Sequence, residues 1–435
     1  MKNAPEHFDL IVVGGGASGM MAAGRAYEEN PNRRILLLEK AKQLGEKLRI
    51  TGGGRCNITN AEFDTRKLLK HYGEGEQFLY SAFSQFNVKD TFSFFESRGL
   101  PLVTQERKRA FPVTEKASDV VQVMEKYVQQ TGITIRLNEK VKKIIKNGNL
   151  LSGVISNKRE YTTNTIILSS GSMSHPETGS TGDSFQWLKD LGHTIITPTP
   201  TLVPLSVKEP WVKLLSGVSL TSTKITFLAD NIKKFSETGK ILFTHFGLSG
   251  PLILNSASQV SDLLYSKKVT AQIDMHPEID LGTLKNKVIE IFKNNPNKLL
   301  KNILPEIAPP GLTPAILSIL KNHTGSNHTG STCMVDGDKR INNVTKEERE
   351  IIVKLLKNLP LTITGLMDYD RAIVADGGVP LNEIDTKTMR SKIYKNLFII
   401  GDLLHIRRPS GGYSLQLCWT TGFVAGQHAG MTCDL

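Results

Sequence analysis

The chain has 435 residues, 39% hydrophobic and 22% charged, a composition that is ordinary for a globular protein of two or three domains. No apolar run approaches the roughly 20 residues that span a bilayer, and the N-terminus lacks the form of a signal peptide, so we expect a cytoplasmic protein. Lysine and arginine number 54 against 42 acids, a formal net charge of +12. Such a charge suits a nucleic acid partner, although a solvated basic surface explains it equally well.

The first predicted element is a buried parallel strand over the apolar run from Phe8 to Val13. Three glycines after it, Gly14, Gly16 and Gly19, fit the pattern G-x-G-x-x-G, which permits a tight turn, close approach to a pyrophosphate, and close packing of strand and helix. A helix is predicted from 17 to 29, with its free N–H groups at Ala17 and Ser18 facing the phosphates.

A second strand is predicted over residues 35–38, and it ends at Glu39, which follows Gly19 by 20 positions. At this offset a carboxylate accepts hydrogen bonds from the hydroxyls of an adenosine ribose. An acid at this position favours FAD or NAD over NADP. Strand, glycine pattern, helix, strand and acid in this order predict a dinucleotide site.

The segment Thr51–Asn60 contains a glycine-rich turn, Gly52-Gly53-Gly54, followed by Arg55 and Cys56. We expect this turn to lie close to the reactive ring of a flavin. Cys56 is the leading candidate as a proton donor, because a thiol with an ordinary pKa is still protonated at neutral pH. The alternative for Cys56 is a packing role without proton transfer.

Residues 62–130 are predicted to be mainly helical, and short strands over 133–168 return the chain to the parallel sheet. From residue 196 the pattern changes to alternating strands and then to helices. We therefore predict a first part of a FAD-binding domain over 1–195, an inserted domain of β-barrel and helices over 196–345, and the rest of the FAD-binding domain over 346–435. The fold class is α/β, with a Rossmann-like domain split by a substrate domain.

A buried strand over residues 396–400 ends in Gly401-Asp402, and Gly411-Gly412-Tyr413 opens a last helix. A strand ending in an acid and a glycine turn at a helix N-terminus suit a second contact with the ribityl and flavin end of one long cofactor. This arrangement favours FAD over NAD. No second complete G-x-G-x-x-G occurs in the middle of the chain, so NAD(P)H would bind transiently as the reductant.

Metal sites and disulfides are not indicated. The four cysteines at 56, 333, 418 and 433 are scattered and contain no C-x-x-C pair. His323 and His328 lack accompanying thiols or carboxylates, so we interpret them as part of a polar loop.

The chain resembles the HI0933-like flavoproteins over nearly its whole length. The resemblance rests on motifs that occur in the family order: Gly14–Gly19, Thr51–Asn60, Arg109–Thr114, Thr178–Asp183, Leu202–Leu205, Phe243–Pro251 and Gly377–Val379. It implies FAD as the cofactor and a soluble redox enzyme, in a group that includes aminoacetone oxidases, bile-acid-type reductases and ribosomal RNA dihydrouridine synthases. The residues expected at the cofactor are Gly14, Gly16, Ala17, Ser18, Gly19, Glu39, Lys40, Gly53, Gly54, Arg55, Gly171, Asp402, Gly411, Gly412 and Tyr413.

This sequence departs from the family pattern at Ser169–Ser172, at Gly401-Asp402 and in the segment after it, and these changes bear on the substrate rather than on FAD. His405–Ser410 replaces a stretch that is normally acidic and contains glycine, and it carries Arg407 and Arg408. We expect these arginines to bind substrate or RNA phosphates at the mouth of the cleft.

The expected reaction is transfer of a hydride from NAD(P)H, by way of FAD, to an electron-poor C=C bond in a uracil ring of ribosomal RNA or in an enone. His245 and Tyr413 are the reserve candidates for the proton donor, and His245 is equally well explained as a structural histidine. Two alternatives stay open: a small-molecule flavin reductase or amine oxidase, and a flavin-bearing RNA-binding protein without turnover. The oligomeric state cannot be inferred.

Overall fold

The computed structural model describes residues 4–130, 132–265, 267–321 and 336–431. The chain forms two compact units, one made of the residues up to Pro200 and from Tyr369 onward, the other of Thr201–Asp368. The expected fold class is confirmed, since a Rossmann-like unit is interrupted by a β-barrel with helices. His323 and His328, with Cys333 and Cys433, lie outside the described residues.

The first unit begins with a βαβ arrangement, and the helices that follow are separated by short strands. The strands before the inserted unit are β1 (Glu6–Val13), β2 (Ile35–Leu38), β3 (Thr59–Asn60), β4 (Leu102–Gln105), β5 (Arg109–Pro112), β6 (Ile133–Arg136), β7 (Val141–Asn147), β8 (Leu150–Ser156), β9 (Glu160–Leu168) and β10 (Ile196–Thr201). The helices are α1 (Ala17–Glu29), α2 (Glu46–Ile50), α3 (Thr65–Leu69), α4 (Glu76–Gln85), α5 (Val88–Glu96), α6 (Ala117–Val128) and α7 (Asp183–Asp190).

The second unit combines strands and helices. Its strands are β11 (Leu205–Val207), β12 (Ser219–Ala229), β13 (Ile232–Phe243), β14 (Gly247–Ser249), β15 (Val269–Asp274) and β16 (Leu359–Leu366). Its helices are α8 (Pro251–Leu264), α9 (Leu281–Asn294), α10 (Leu300–Ile307), α11 (Thr313–Lys321) and α12 (Lys346–Lys357). The chain then returns to the first unit with β17 (Val374–Gly378), β18 (Leu397–Ile399) and α13 (Tyr413–Met431).

The main sheet has the strand order β6-β2-β1-β9-β8-β7, and β18 pairs with β9. Strands β6, β2, β1, β9 and β18 run parallel, and β7 and β8 are antiparallel. The four residues of β2 are all buried, as expected for a parallel strand that is covered on both faces. The carboxyl ends of β1, β2 and β18 thus meet at one edge, which is where ligands bind in such sheets.

The second unit is built around a closed barrel with the strand order β11-β14-β13-β12-β15-β16. Its long hairpin turns at Asp230 and Asn231, which have φ values of +51° and +65°, as a two-residue turn between twisted strands requires. The barrel extends past residue 345, the expected end of the inserted domain. The reason is that β16 pairs with both β15 and β11 and closes the barrel.

The C-terminal helix α13 packs closely on α1 because three of its glycines face that helix. A Cβ at Gly422 would lie 2.6 Å from the Ser18 carbonyl oxygen, and one at Gly426 would lie 2.4 Å from that of Ala22. A Cβ at Gly430 would likewise lie 2.9 Å from the carbonyl oxygen of Ala26. Glycine at every fourth position therefore lets the two backbones approach each other, and the N-terminus of α13 is fixed relative to α1.

The described ranges lack two kinds of feature. In these ranges no helix is both long enough and apolar enough to cross a bilayer. The same ranges hold no cluster of three or more His, Cys, Asp or Glu residues that could bind a metal ion.

Candidate functional site

The turn between β1 and α1 leaves an open helix N-terminus. Gly14 has φ +108°, and its N–H donates to the carbonyl of Leu38 (2.8 Å), which ties the start of the turn to the end of β2. A Cβ at Gly16 would have no heavy atom within 4 Å, and no side chain caps α1. The backbone N–H groups at this end are therefore available to an anion, with space for it beside Gly16.

Gly19, unlike Gly16, lies against protein atoms. A Cβ at this position would lie 1.9 Å from the Gly14 carbonyl oxygen and 2.6 Å from Ser169 Oγ. The residue must therefore be glycine for α1 to pack on the strand that precedes it. Among the fingerprint glycines, Gly16 faces open space and Gly19 faces protein.

Glu39 lies directly beside the glycine turn. The backbone N–H of Gly15 donates to its Oε2 (2.7 Å), and that of Ala41 donates to its Oε1 (2.8 Å). Each carboxylate oxygen can accept a further hydrogen bond. The two backbone bonds thus hold the carboxylate in a fixed orientation while leaving it able to bind hydroxyl groups.

Lys40, expected at the cofactor, is engaged elsewhere. Its Nζ lies 2.7 Å from Asp183 Oδ2, and Lys140 binds the other oxygen of the same carboxylate (3.0 Å). Burial opposes ionisation of Asp183, but the hydrogen bonds from Lys40 and Lys140 outweigh it and lower the pKa to about 2. Lys40 therefore joins β2 to the start of α7 by an ion pair.

The structure brings together two segments that are some 350 positions apart. Asn60 Nδ2 donates to the Gly411 carbonyl (3.2 Å), and the amide oxygen of Asn57 accepts from the Gly412 N–H (3.0 Å). A Cβ at Gly412 would lie 2.2 Å from the Thr59 carbonyl carbon, so only glycine fits there. The turn at Thr51–Asn60 and the N-terminus of α13 therefore form one local structure.

The glycine turn and the cysteine after it differ sharply in exposure. Gly53 and Gly54 are exposed, with φ +68° and +85°, and a Cβ at either would meet nothing within 4 Å. Cys56 is 0% exposed and packs in the hydrophobic core, and burial raises its thiol pKa to about 12 despite a hydrogen bond with Thr51. This burial favours the packing role for Cys56, and proton donation by its thiol stays a prediction.

Asp402, at the end of the last strand of the sheet, is bound by two cations. Lys47 Nζ lies 3.1 Å from its Oδ2, and the guanidinium of Arg408 donates to its Oδ1. Burial disfavours the charged carboxylate, but the fields of Lys47 and Arg408 outweigh that effect and hold the Asp402 pKa below its usual value. A Cβ at Gly171, which has φ +75°, would lie 3.7 Å from the same Lys47 Nζ. Asp402, Lys47 and Gly171 are thus neighbours.

The two arginines expected at the cleft mouth have different environments. Arg407 is exposed, whereas the Arg408 side chain is only 1% exposed and also donates to Ser414 Oγ (3.0 Å) and to the Ile406 carbonyl (2.6 Å). The expectation that Arg408 binds phosphate is therefore wrong. The Arg408 guanidinium forms an ion pair with the buried Asp402 carboxylate, and its side chain does not reach solvent.

The reserve proton donors lie in different units. Tyr413 is the first residue of α13, with its ring centroid 4.9 Å from that of His71, and burial followed by the charge of Glu62 raises its pKa to about 12. His245 belongs to the barrel unit, where it is exposed in the turn between β13 and β14.

Two residues near this site were not singled out as contacts by the sequence. One is Lys47, which pairs with Asp402. The acid at the end of a buried strand was a signal for such a partner, because a buried carboxylate requires a cation. The other is His405, where burial lowers the pKa of the imidazole and Nδ1 is buried without a hydrogen-bond partner in the described part of the chain. Such an orphaned nitrogen marks His405 as a further candidate contact.

Residues 8–428 match the model of the family described as HI0933-like protein Rossmann domain. A 3-dehydro-bile acid delta(4,6)-reductase of Clostridium scindens is 27% identical over 422 residues, covering 96% of this chain and 98% of the relative. Ribosomal RNA dihydrouridine synthases are also similar: that of Escherichia coli is 24% identical (97% of this chain, 98% of the relative) and that of Haemophilus influenzae 26% identical (96% and 97%).

Two solved structures share the fold. The quinol fumarate reductase FrdA of E. coli has a TM-score of 0.52 at 13% identity, covering 99% of this chain and 70% of the other. The 3-ketosteroid delta1-dehydrogenase of Sterolibacterium denitrificans has a TM-score of 0.51 at 12% identity, covering 98% and 99%. At these identities the likeness concerns the fold alone.

Proposed function

The chain belongs to the HI0933-like family of FAD-dependent oxidoreductases, and on that basis we propose that it uses NAD(P)H to reduce a C=C bond conjugated to a carbonyl group. The observation that carries the proposal is the βαβ turn, where an open helix N-terminus and an oriented Glu39 carboxylate lie side by side. This pair suits the pyrophosphate and the adenosine ribose of FAD.

The residues that would hold FAD fall into two groups. The backbone N–H groups at Gly16, Ala17 and Ser18 would bind the pyrophosphate, and Gly16 supports this because a Cβ there would meet open space. The second group is the turn at Gly53 and Gly54, joined to Gly411 and Gly412, where the absence of side chains would let a flat ring approach the backbone. Arg55 would contribute charge beside this turn, and Asp402 remains a proposed cofactor contact, although both of its oxygens are bound by Lys47 and Arg408.

FAD supplies hydride transfer between the reductant and the substrate. Reduction of the C=C bond adds one hydride to one carbon and one proton to its neighbour, while NAD(P)H becomes NAD(P)⁺. The protein must hold the proton donor. Tyr413 is supported by its place directly after Gly412, and its phenol is protonated near neutral pH, as any phenol with a pKa of about 10 or higher is. Cys56 and His245 are the other candidates: Cys56 is 0% exposed, Tyr413 is 6% exposed, and His245 is exposed.

The nature of the substrate is supported by what the names of the relatives have in common. One relative is named a delta(4,6)-reductase of a 3-dehydro-bile acid, and the others are named dihydrouridine synthases. Dihydrouridine differs from uridine by two hydrogens across a ring C=C bond that is conjugated to a carbonyl. We propose uridine in ribosomal RNA as the substrate on the added ground of the +12 charge, with the cytoplasm as the compartment.

Two other functions remain as alternatives. A small-molecule reductase or amine oxidase would act on an enone or an aminoketone, and its activity would be insensitive to salt. A flavin-bearing RNA-binding protein without turnover would bind RNA in a salt-sensitive manner but would not oxidise NAD(P)H in the presence of substrate.

The test of the substrate is mass spectrometry of nucleosides from ribosomal RNA of cells with and without the gene. Loss of dihydrouridine that is restored by the wild-type gene is the expected result. The purified protein is assayed in parallel under anaerobic conditions for NAD(P)H oxidation driven by a 3-oxo-4-ene steroid. Steroid-dependent oxidation with unchanged ribosomal RNA would support the small-molecule alternative instead.

The cofactor is tested separately through Glu39. Glu39→Ala is expected to weaken FAD binding by about 1–3 kcal/mol, the scale for a hydrogen bond to a charged group. Fluorescence titration of the apoprotein with FAD measures this change. Glu96→Ala, at the exposed end of α5, is the matched control. Equal affinities in the two variants would remove Glu39 from the site.

A further inference from the structure

The small antiparallel sheet β3-β5-β4 presents arginines on one face. Arg109 pairs with Asn60 on β3 and with Gln105 on β4, so these three side chains lie on the same side. Phe111, two residues after Arg109, lies on that side as well. The guanidinium of Arg55 covers the Phe111 ring at 4.5 Å and contacts Gln105 Oε1 at 3.5 Å. Arg55 and Arg109 therefore share one face of this sheet.

A third arginine is held at the edge of this face by an unusual turn. Arg107 and Lys108 are consecutive non-glycine residues with φ +59° and +57°, a conformation that L-residues seldom adopt. The carbonyl of Arg107 accepts a hydrogen bond from Asn60 Nδ2 (3.2 Å), which also binds Gly411. The turn is thus tied to the structure that joins the two glycine segments, and strained turns of this kind concentrate at functional sites.

The positive charge of this face is only partly neutralised. Glu115 binds Arg55 at 3.3 Å, and Glu62 pairs with Lys108. In the ranges that the structure describes, the guanidinium groups of Arg107 and Arg109 form no hydrogen bond or ion pair. Burial lowers the pKa of Arg109, and the charges of Arg107 and Arg55 lower it further, as expected for crowded cations without a counter-ion.

Apolar groups lie beside these charges. Val103 is opposite Phe111 in the register of β4 and β5 and is 38% exposed, and Val113, just past β5, is 56% exposed. A free phosphate or sulfate ion would use only the charges. A nucleic acid strand would use both kinds of group, because its phosphates match the arginines and its sugars and bases match the valines.

We propose that Arg55, Arg107 and Arg109 form a phosphate-binding face that holds a single strand of RNA beside the glycine turn Gly52–Gly54. The inference rests on the proposed function and deepens it, since it assigns the contact by which a polynucleotide substrate is positioned. It also replaces Arg408 as the source of phosphate contacts.

The test uses the flavin-loaded full chain and a labelled single-stranded RNA of mixed sequence. Arg107→Gln/Arg109→Gln removes two charges without altering Arg55, which also flanks the proposed flavin turn. Lys142→Gln/Lys143→Gln removes two exposed charges from β7, at the far edge of the main sheet, and is the matched control. Binding is measured by fluorescence anisotropy over a range of salt concentrations.

The arginine variant is expected to bind RNA about tenfold or more weakly at low salt, whatever the RNA sequence. The magnitude of its salt slope should fall by about 1.4 units, because each lost phosphate contact on a single strand contributes roughly 0.7. The lysine variant should keep the wild-type slope. FAD absorbance and thermal melting identify any variant that is misfolded, and Arg107→Lys/Arg109→Lys, which retains the charge, should restore most of the slope.

Two results would overturn the inference. One is an unchanged slope in the arginine variant, or an equal loss in the lysine control. The other is unchanged RNA binding combined with a raised KM for NADPH but not for NADH, which would assign the face to the 2′-phosphate of the reductant. Failure of the proposed function would give a different result from failure of this inference. Salt-dependent RNA binding would persist, but the protein would not oxidise NAD(P)H with any substrate.

Discussion

The guanidinium of Arg408 is buried against the carboxylate of Asp402, and this ion pair joins the end of the last sheet strand to the segment that leads into α13. Lys47 binds the other oxygen of the same carboxylate from α2. The cluster therefore fixes three separate parts of the chain around the start of the C-terminal helix, next to the proposed flavin contacts.

Arg408→Ala is expected to lower the free energy of unfolding by about 1.5–3 kcal/mol, the scale for losing a hydrogen bond to a charged group, because Lys47 still pairs with the buried carboxylate. Arg407→Ala, at the exposed neighbour, should change stability by no more than about 0.5 kcal/mol. Urea denaturation followed by circular dichroism measures both. Similar stability in the two variants would mean that the buried pair contributes little to folding.

Substitutions at two fingerprint glycines should separate folding from cofactor binding. Gly19→Ala places a Cβ 1.9 Å from the Gly14 carbonyl oxygen, so we expect a lower melting temperature and poor expression. Gly16→Ala meets no protein atom, so the apoprotein should melt normally while its affinity for FAD falls. Calorimetry of the apoprotein and titration with FAD give the two readouts. Normal FAD affinity in Gly16→Ala would place the pyrophosphate elsewhere.

Cys56→Ala tests whether the buried thiol takes part in catalysis. A role as general acid predicts a 10²–10⁴-fold slower reduction of substrate with normal reduction of the flavin by NAD(P)H. From its burial we expect the packing outcome, a nearly unchanged rate and a loss of stability of about 1 kcal/mol. Stopped-flow measurement of the two half-reactions, with a 3-oxo-4-ene steroid or ribosomal RNA as the oxidant, distinguishes these results.

Asp183 should contribute a specific part of the acid sensitivity of the fold. Its pKa is lowered to about 2 by Lys40 and Lys140 against the opposing effect of burial. Since the folded value lies below the unfolded one, its contribution to stability is full above about pH 4 and is lost as the pH falls towards 2. Asp183→Asn should therefore show a shallower fall in stability over this window than Asp190→Asn, an exposed control on the same helix. Equal slopes would show that the ion pairs with Asp183 are not linked to folding.

Local rules in the sequence were sufficient for the dinucleotide turn. The apolar run before Gly14 and the acid 20 positions after Gly19 predict strand, turn, helix and strand, and the structure has β1, α1 and β2 there. The alternating strands also predict the inserted barrel, but with an end at residue 345. The pairing of β16 with both β11 and β15 moves that end to Asp368, and strand pairing between distant segments is not visible in a local pattern.

The sequence by itself determined the dinucleotide turn. The backbone conformation at Gly14 and the close approach at Gly19 depend on the absence of a Cβ, which is a property of the residue type alone. The partners of charged side chains were decided only by the tertiary structure. Arg407 and Arg408 are adjacent arginines that no sequence pattern distinguishes, yet Arg407 is exposed and Arg408 is buried against Asp402. Asp402 is only six positions from Arg408, but the burial of this pair depends on distant segments, among them α2, whose Lys47 is 355 positions from Asp402. Only the folded chain therefore distinguishes a structural arginine from one that is free to bind a phosphate.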